Sequence, residues 1–310
     1  MDEMNDIREE AEWTLKILEY SENSLCYSDA HLWLMRGLSM CDSPKASTAE
    51  SGATLVKVVT SACHARGHDI TTMLKAKDFQ SLLTFLFYRV KEQFEAAQDN
   101  LLQASQRSPI HGSLMALGYC LCRDVLTTTM SKGEVLEFMT NLTDLLIDII
   151  EYMLSKLACA SPNGSAFAPS FAEMGESIEM IIKECESKGV EGNPYGEEHL
   201  QHQENVDITV EEEEEVDIED NAISGNHQLI LACCWQTMKA CCAVTSMSVT
   251  HWIRHLSESL VEKLLHGVVV RVLTGTRHKG QWRLPEHLMV SSVLFSSAAT
   301  ATLAISYTNR

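Results

Sequence analysis

The sequence predicts an all-α protein built from HEAT- or armadillo-like helical repeats, an α-solenoid, interrupted by an acidic disordered insert. Runs rich in Leu, Met, Ala, Glu and Lys favour helix, and apolar residues recur at steps of three and four. Aromatic residues make up only 6% of the chain, which disfavours a β-sandwich or barrel. With 310 residues and 45% apolar content, the chain is long enough for several stacked helical layers.

Residues 1–160 are predicted to form consecutive amphipathic helices. Asp78 to Gln106 is expected to be one helix, and Ser108-Pro109 to open another that reaches Leu126. Ser131 to Glu134 has the pattern of a capping box before a helix of about 27 residues, roughly 40 Å long. Two such helices make a unit of about 40 to 50 residues, the size of a HEAT or armadillo repeat. Helix starts are expected near Asp29, Ser47, Asp78, Ser108 and Ser131.

Residues 161–225 differ sharply in composition from the helical part. They hold 2 Lys+Arg against 18 Asp+Glu, including the uninterrupted run Glu211 to Glu215. A segment with few apolar residues and high like charge does not offset its ordering entropy. We therefore predict an acidic, mostly disordered insert, with a short helix from Ile178 to Lys188.

Residues 226–280 return to a helical pattern. Helices are predicted from His227 to Ala243 and from Ser248 to Leu273, although Val268 to Val270 is equally compatible with the start of a strand. Residues 226–310 carry 8 Lys+Arg against 3 Asp+Glu, so a mildly basic end follows the acidic insert. Residues 281–310 form a divergent tail whose uncharged stretch is too rich in Ser and Thr for a membrane span, and no membrane is expected.

Eleven cysteines raise the questions of disulfides and of zinc. Their number is odd and the first ten residues are acidic, which predicts reduced thiols in an intracellular protein. Cys233-Cys234 and Cys241-Cys242 suggest a four-thiolate zinc site, but two helical turns separate the pairs by roughly 12 Å, too far for one tetrahedral ion. Buried thiols are the favoured interpretation, and Cys63-His64 with His68 offers too few ligands.

The sequence contains no nucleophile elbow, phosphate loop, dinucleotide turn or methyl-donor motif, so we expect no catalytic residues and no cofactor. Arg277, His278 and Lys279 stand out as three consecutive potential cations between Gly275 and Gly280. Cations suit the negative end of a helix dipole, which is one interpretation. The other is contact with phosphate or with a protein partner.

Two segments resemble the THADA family (thyroid adenoma-associated protein). The first is Asn226 to Lys239, a helix ending in Cys-Cys-Trp-x-x-x-Lys, and the second is Thr276-Arg-His-Lys-Gly280. Pro109-Ile-His-Gly112 before a Leu-rich helix, and the acidic insert, also match the family's layout. The residues that correspond to the motif helix are His227, Gln228, Trp235 and Lys239.

The resemblance implies one internal slice of a very large helical-repeat scaffold. It implies a cytoplasmic, non-catalytic partner of an FtsJ-type methyltransferase that places a ribose 2′-O-methyl group in the tRNA anticodon loop. The implied partners are that enzyme and tRNA, and not DNA. Arg277, His278 and Lys279 are then expected to contact tRNA or the enzyme, and Trp235 to pack.

The family continues into another helix after the basic motif, whereas Gln281 to Pro285 begins a different tail here. We therefore expect a truncated or alternatively spliced form. A competing class is a helical-repeat scaffold for protein interaction unrelated to RNA, recognisable by salt-insensitive binding. A third class, a zinc-dependent enzyme, requires stoichiometric metal.

Overall fold

The computed structural model describes residues 27–65, 70, 74, 81–121, 131–157, 171–190, 225–253 and 255–275. Every regular element within these ranges is a helix, so the all-α class is confirmed. The stretch at Val268 to Val270, for which a strand was also considered, is helical. The helices are α1 Tyr27–Cys41, α2 Ala46–Ala65, α3 Leu82–Asp99, α4 Leu101–Arg107, α5 Ile110–Leu121, α6 Lys132–Leu157, α7 Phe171–Val190, α8 Gly225–Trp252, α9 Glu258–Leu264, a π-helical segment Leu265–Val270, and α10 Arg271–Gly275.

The capping box predicted for α6 is present. The backbone N–H of Ser131 donates to Oε2 of Glu134 at 2.7 Å, and the backbone N–H of Glu134 donates to Oγ of Ser131 at 3.3 Å. These hydrogen bonds to Ser131 lower the pKa of the Glu134 carboxyl. The helix that follows is 26 residues long, close to the predicted length.

The prediction of a single helix from Asp78 to Gln106 is wrong, because Asn100 divides this stretch into α3 and α4. The backbone of Asn100 is extended, with φ −144° and ψ 96°, and its N–H still closes α3 by donating to the carbonyl of Ala96. Its side-chain oxygen accepts from the backbone N–H of Gln103 at 2.9 Å and so starts α4. An Asn side chain that bonds nearby backbone competes with a continuous helix. Ser108 then closes α4, and α5 begins at Ile110, just after Pro109.

Helix bounds in the second half also differ from the prediction. α8 continues to Trp252, nine residues past Ala243, and the next helix begins at Glu258, where Oγ of Ser257 accepts from the backbone N–H of Leu260. Within the predicted insert, α7 is longer than the helix expected at 178–188. Its buried apolar residues recur at helical spacing, which explains why it orders against α4, α6 and α8. Those residues are Met174, Ile178, Ile181 and Cys185.

The helices contact one another in two series. One series is α2, α5 and α8, and the other is α3, α6 and the α9–α10 unit, with α3 on α5 and α6 on α8 across the layers. α1 packs on α2 and on the start of α5. One continuous hydrophobic core lies between the series, and its largest fully buried side chains come mainly from α3, α5 and α6.

Glycines permit close helix contact where α1, α2 and α5 meet. A Cβ atom at Gly112 of α5 would lie 2.2 Å from the carbonyl oxygen of Cys41, and one at Gly52 would lie 2.7 Å from the carbonyl oxygen of Gly37. Both obstacles are backbone atoms, which cannot rotate away. The Gly of the Pro109-Ile-His-Gly motif is therefore required by the approach of α5 to the end of α1.

A partly buried polar cluster joins α1, α3 and α5 beside this contact. Nη2 of Arg89 donates to both carboxylate oxygens of Asp42 at 2.6 Å and to the carbonyl of Leu38 at 3.2 Å, while Nε donates to Oγ of Ser113 at 3.2 Å. Nε2 of Gln93 adds a bond of 2.9 Å to the same carboxylate. These bonds satisfy the carbonyl end of α1 and fix its position on the two following helices.

His111, in the same motif, is buried without hydrogen-bond partners among the described residues. Only 5% of its surface is exposed, and neither ring nitrogen is bonded. Burial lowers the pKa of the imidazole from 6.5 to about 4, so the ring is neutral in the folded protein near pH 7.

One described helix, α8, is long and apolar enough to cross a membrane by length and composition alone. Within its apolar window, 56% is buried inside the protein, which is the pattern of a core helix. The tail 281–310, the acidic run Glu211 to Glu215 and residues 122–126 of the helix predicted from Ser108 lie outside the described residues. The division of the chain into the four segments 1–160, 161–225, 226–280 and 281–310 stays a prediction.

Replacing Gly112 with Ala tests the close contact with α1. We expect a loss of about 3 kcal/mol in the free energy of unfolding, because the new methyl group must displace backbone. The matched control is Gly133→Ala in the first turn of α6, where a Cβ meets nothing within 4 Å and stability should be unchanged or slightly higher. Urea unfolding followed by circular dichroism measures both, and equal midpoints for the two variants would contradict the contact.

His111 should make stability depend on pH. Its folded pKa of about 4 lies below the unfolded value of 6.5, so the unfolded state binds more protons, and stability falls as pH drops from 6.5 towards 4. Between pH 7.5 and 5.0 the loss from this residue should be about 2 kcal/mol. Urea titrations of His111→Asn should lack that part of the pH dependence. His64→Asn at an exposed position is the control, and a pH profile of His111→Asn equal to that of the unmodified chain would refute this.

Candidate partner-binding surface at the end of α6

The motif helix identified in the sequence is the first half of α8. Gln228 and Lys239 are exposed on it, and Trp235, one turn before Lys239, is partly buried and packs against the hydrophobic core. His227 is partly buried near Gly175 of α7, whose added Cβ would lie 3.7 Å from Cε1 of the imidazole. The predicted packing role of Trp235 therefore agrees with its position, while Gln228 and Lys239 face solvent.

α8 is held in place by α5, which runs parallel to it. A Cβ at Gly118 of α5 would lie 2.4 Å from Cε of Met247, and Nε1 of Trp252 donates to the carbonyl of Leu121 at 3.0 Å. At the other end, Ser105 of α4 is close enough to Cys233 to lower the pKa of its thiol against the larger raising effect of burial. These contacts place the start of α8 beside α4 and its end beside the carboxyl end of α5.

The helix from Glu258 to Gly275 docks lengthwise on α6. Each contact pairs one α6 residue with a residue about 120 positions later, in increasing order, so the two helices run parallel. Two contacts are ion pairs, and two place a glycine against an aliphatic side chain. The pairs are Asp144 with Lys263, Ile147 with Gly267, Glu151 with Arg271 at 3.6 Å, and Leu154 with Gly275.

The carboxyl end of α6 is therefore close both to the motif helix and to the end of α10. Nζ of Lys156 lies 5.1 Å from the centre of the Tyr152 ring, and the Tyr152 hydroxyl donates to the carbonyl of Ala97 at 2.7 Å. Burial, together with the nearby thiol of Cys234, raises the pKa of Tyr152. Cys234 is the neighbour of Trp235 in the motif helix, and the electrostatic effect of Lys156 also reaches its thiol.

The basic motif itself, Arg277, His278 and Lys279, lies outside the described residues. The last described residue is Gly275, where an added Cβ would lie 3.0 Å from Cδ2 of Leu154. One residue earlier, the hydroxyl of Thr274 donates to the carbonyl of Val270 at 2.9 Å. The last described residue of α10 thus lies beside Leu154 of α6.

The four thiols considered for zinc lie on buried faces of α8. Cys233, Cys234, Cys241 and Cys242 are all buried, which confirms the predicted interpretation. Burial raises the pKa of each thiol, to about 12 for Cys242, and so disfavours the thiolate that zinc requires.

The second group of candidate zinc ligands is divided between the interior and the surface of the protein. Cys63 is buried and His64 is exposed, while His68 lies outside the described residues. Across the described ranges, no group of three or more His, Cys, Asp or Glu side chains is arranged to hold a metal ion.

Sequence reasoning missed the residues of α6 that support this surface. Nothing in the sequence pattern distinguishes Tyr152 and Lys156, because an aromatic residue and a cation are common in the last turn of a long helix. Gly267 and Gly275 stand eight residues apart, and that spacing is not a helical repeat without the π-helical segment between them.

Within the described residues, the protein is helical and consists of two contacting helix series, with a candidate interaction surface at the carboxyl end of α6. Residues 137–283 match the family model described as THADA/TRM732, DUF2428, and the match covers most of α6, all of α7 to α10 and the basic motif. Over these residues, just under half of the 310-residue chain, the protein is similar to the THADA/TRM732 family, which is related to tRNA methylation. No curated protein and no solved structure matches the chain.

Proposed function

We propose that this chain is a non-catalytic scaffold subunit that supports ribose 2′-O-methylation in the tRNA anticodon loop by an FtsJ-type methyltransferase in the cytoplasm. In this role the helices organise a surface, and the partner supplies the methyl donor and the chemistry. The observation that carries the proposal is the family match over residues 137–283, which includes both recognised segments.

The packing supports a scaffold of the α-solenoid kind. Within one series, α5 and α8 run parallel, as shown by Gly118 beside Met247 and by the bond from Trp252 to Leu121. Within the other, α6 and the α9–α10 unit run parallel through four paired contacts. Parallel helices within each of two layers are the arrangement of HEAT and armadillo repeats. Each repeat buries its apolar face against the next and leaves the ends of its helices for partners.

The charges of the basic motif and of the last turn of α6 support a contact with RNA phosphate. Arg277 and Lys279 follow Gly275 by two and four residues, and α10 ends beside the last turn of α6, which carries Lys156. Lys156 has no carboxylate partner among the described residues, so its charge is not neutralised there. Guanidinium and ammonium groups bind phosphate through charge-assisted hydrogen bonds, and His278 adds a further donor. The exposed Lys239 of α8 is a further cation of the motif helix.

The double variant Arg277→Ala with Lys279→Ala tests the role of the motif. Affinity for tRNA should fall by at least about tenfold, and the slope of log K against log salt should become shallower by about one for each phosphate that the variant no longer binds. Fluorescence anisotropy with unmodified tRNA at several salt concentrations measures both. Copurification with a coexpressed FtsJ-type methyltransferase gives the second readout.

The matched control is Lys45→Ala with Lys91→Ala, which removes the same charge from exposed positions near the other end of the described chain. It should leave affinity and salt slope within about twofold of the unmodified chain. If tRNA and enzyme association are unchanged in the Arg277 and Lys279 variant, the site assignment is wrong. Salt-insensitive capture of the enzyme without tRNA would favour the protein-interaction scaffold instead.

A further inference from the structure

Helix α1 carries a group of exposed apolar side chains. Seven large apolar side chains are exposed among the described residues, and three of them lie within four positions of this helix. They are Leu32, Trp33 and Met35, with exposed fractions of 66%, 42% and 45%. Single exposed apolar residues are ordinary, whereas a contiguous group of them is typical of an interaction surface. We call these three residues the α1 patch.

The opposite face of α1 is firmly packed, so the α1 patch has a fixed position on the protein. Leu34 and Leu38 are buried, with exposed fractions of 0% and 3%. A Cβ at Gly37 would lie 3.0 Å from Cγ2 of Val56 in α2, and Nη2 of Arg89 in α3 donates to the carbonyl of Leu38 at 3.2 Å. A surface that is ordered before it binds loses little conformational entropy on binding.

Two exposed charges of opposite sign lie on the same side of α1 as Leu32. Asp29 comes three residues before Leu32, and Arg36 comes four residues after it. Because about 3.6 residues make one turn, the two charges lie one turn to either side of Leu32. Neither forms an ion pair or a hydrogen bond within the described part of the chain. The exposed face of α1 therefore has an apolar centre, an acid at one end and a base at the other.

This order of charges is complementary to itself in an antiparallel helix pair. When two α1 helices pack antiparallel about a twofold axis between Leu32 and Trp33, Asp29 of each copy lies at the level of Arg36 of the other copy. The pair then has two ion pairs and holds Leu32 of both copies at its centre. A parallel pair would instead place each charge opposite its own kind, and like charges repel. An interface with twofold symmetry uses the same surface on both subunits, and the exposed face of α1 meets this requirement.

We propose that the α1 patch binds α1 of a second copy of this chain in antiparallel orientation, with an ion pair between Asp29 and Arg36 at each end. The charges set the orientation, and the three apolar side chains provide the buried area. One helix from each copy makes an interface smaller than the roughly 1,200 Å² of stable complexes, so the Kd should be on the order of 10 μM. Dimerisation requires neither tRNA nor a methyltransferase, so its result is independent of the proposed function.

Sedimentation velocity of the full chain between about 1 and 100 μM measures the dimer, and the unmodified chain should shift from monomer to dimer over this range. Reversal of either charge tests the pairing. In a dimer of Asp29→Lys, or of Arg36→Glu, both pairs join like charges, so the Kd should rise at least about tenfold. An equimolar mixture of the two variants should form a heterodimer with nearly the original Kd, because both of its pairs again join opposite charges. A variant that had failed to fold would not be rescued in this way.

Two matched controls separate the α1 patch from general effects of charge and exposure. Lys183→Glu makes the same charge change as Arg36→Glu at an exposed position of α7 and should leave the Kd within about twofold. Leu32→Gln should raise the Kd at least about fivefold, because it removes the apolar centre of the interface. Met180→Gln should have no effect, although Met180 is 64% exposed and so matches Leu32 in exposure.

Monomers at every concentration would overturn the proposal, and so would a mixture of the two charge variants that stays monomeric. In monomers of the unmodified chain, protection of Leu32 and Met35 from hydroxyl-radical oxidation would assign the α1 patch to another segment of the same chain. Equal dimerisation by the unmodified chain and by Leu32→Gln would place the interface elsewhere and would overturn the proposal as well.

Discussion

The parallel packing of the C-terminal helix on α6 is the constraint on which the candidate surface depends. α6 presents aliphatic side chains to two glycines and carboxylates to two cations, and these contacts lie along one face. The side chains of both ion pairs are at least half exposed, so the pairs contribute little stability. Close contact at the glycines therefore provides most of the specificity of docking, since packed helices tolerate few alternative alignments.

The same principle of close backbone approach recurs at the other end of the described chain. Gly112 allows the end of α1 to approach α5 closely, and Gly118 on the same helix allows the close approach of Met247 of α8. α5 therefore contacts both α1 and α8, so the position of α1 on α5 also affects where the motif helix lies. His111, next to Gly112, is buried as well, and burial keeps its imidazole neutral with a lowered pKa.

Sequence patterns predicted the helices whose ends carry strong local signals. Ser131 and Glu134 form the expected capping box, and the apolar stripe of α6 gave its length to within one residue. Asn100 was missed because its effect depends on a side-chain bond to the backbone of Gln103 that competes with the helix. The extent of α8 was missed because it is buried on most sides, so its apolar residues show no clear stripe.

The candidate surface was only partly predictable for a related reason. Arg277, His278 and Lys279 stand out in the sequence as charges, whereas the contacts of Gly267 with Ile147 and of Gly275 with Leu154 can be recognised only in the folded structure. We propose that RNA binds where α6 and α10 end. Ultraviolet crosslinking of unmodified tRNA to the full chain, with the crosslinked peptides mapped by mass spectrometry, tests it most directly. Crosslinks in peptides containing Tyr152 to Lys156 and residues 276–280 are predicted, and crosslinks confined to α1 to α3 would contradict the account.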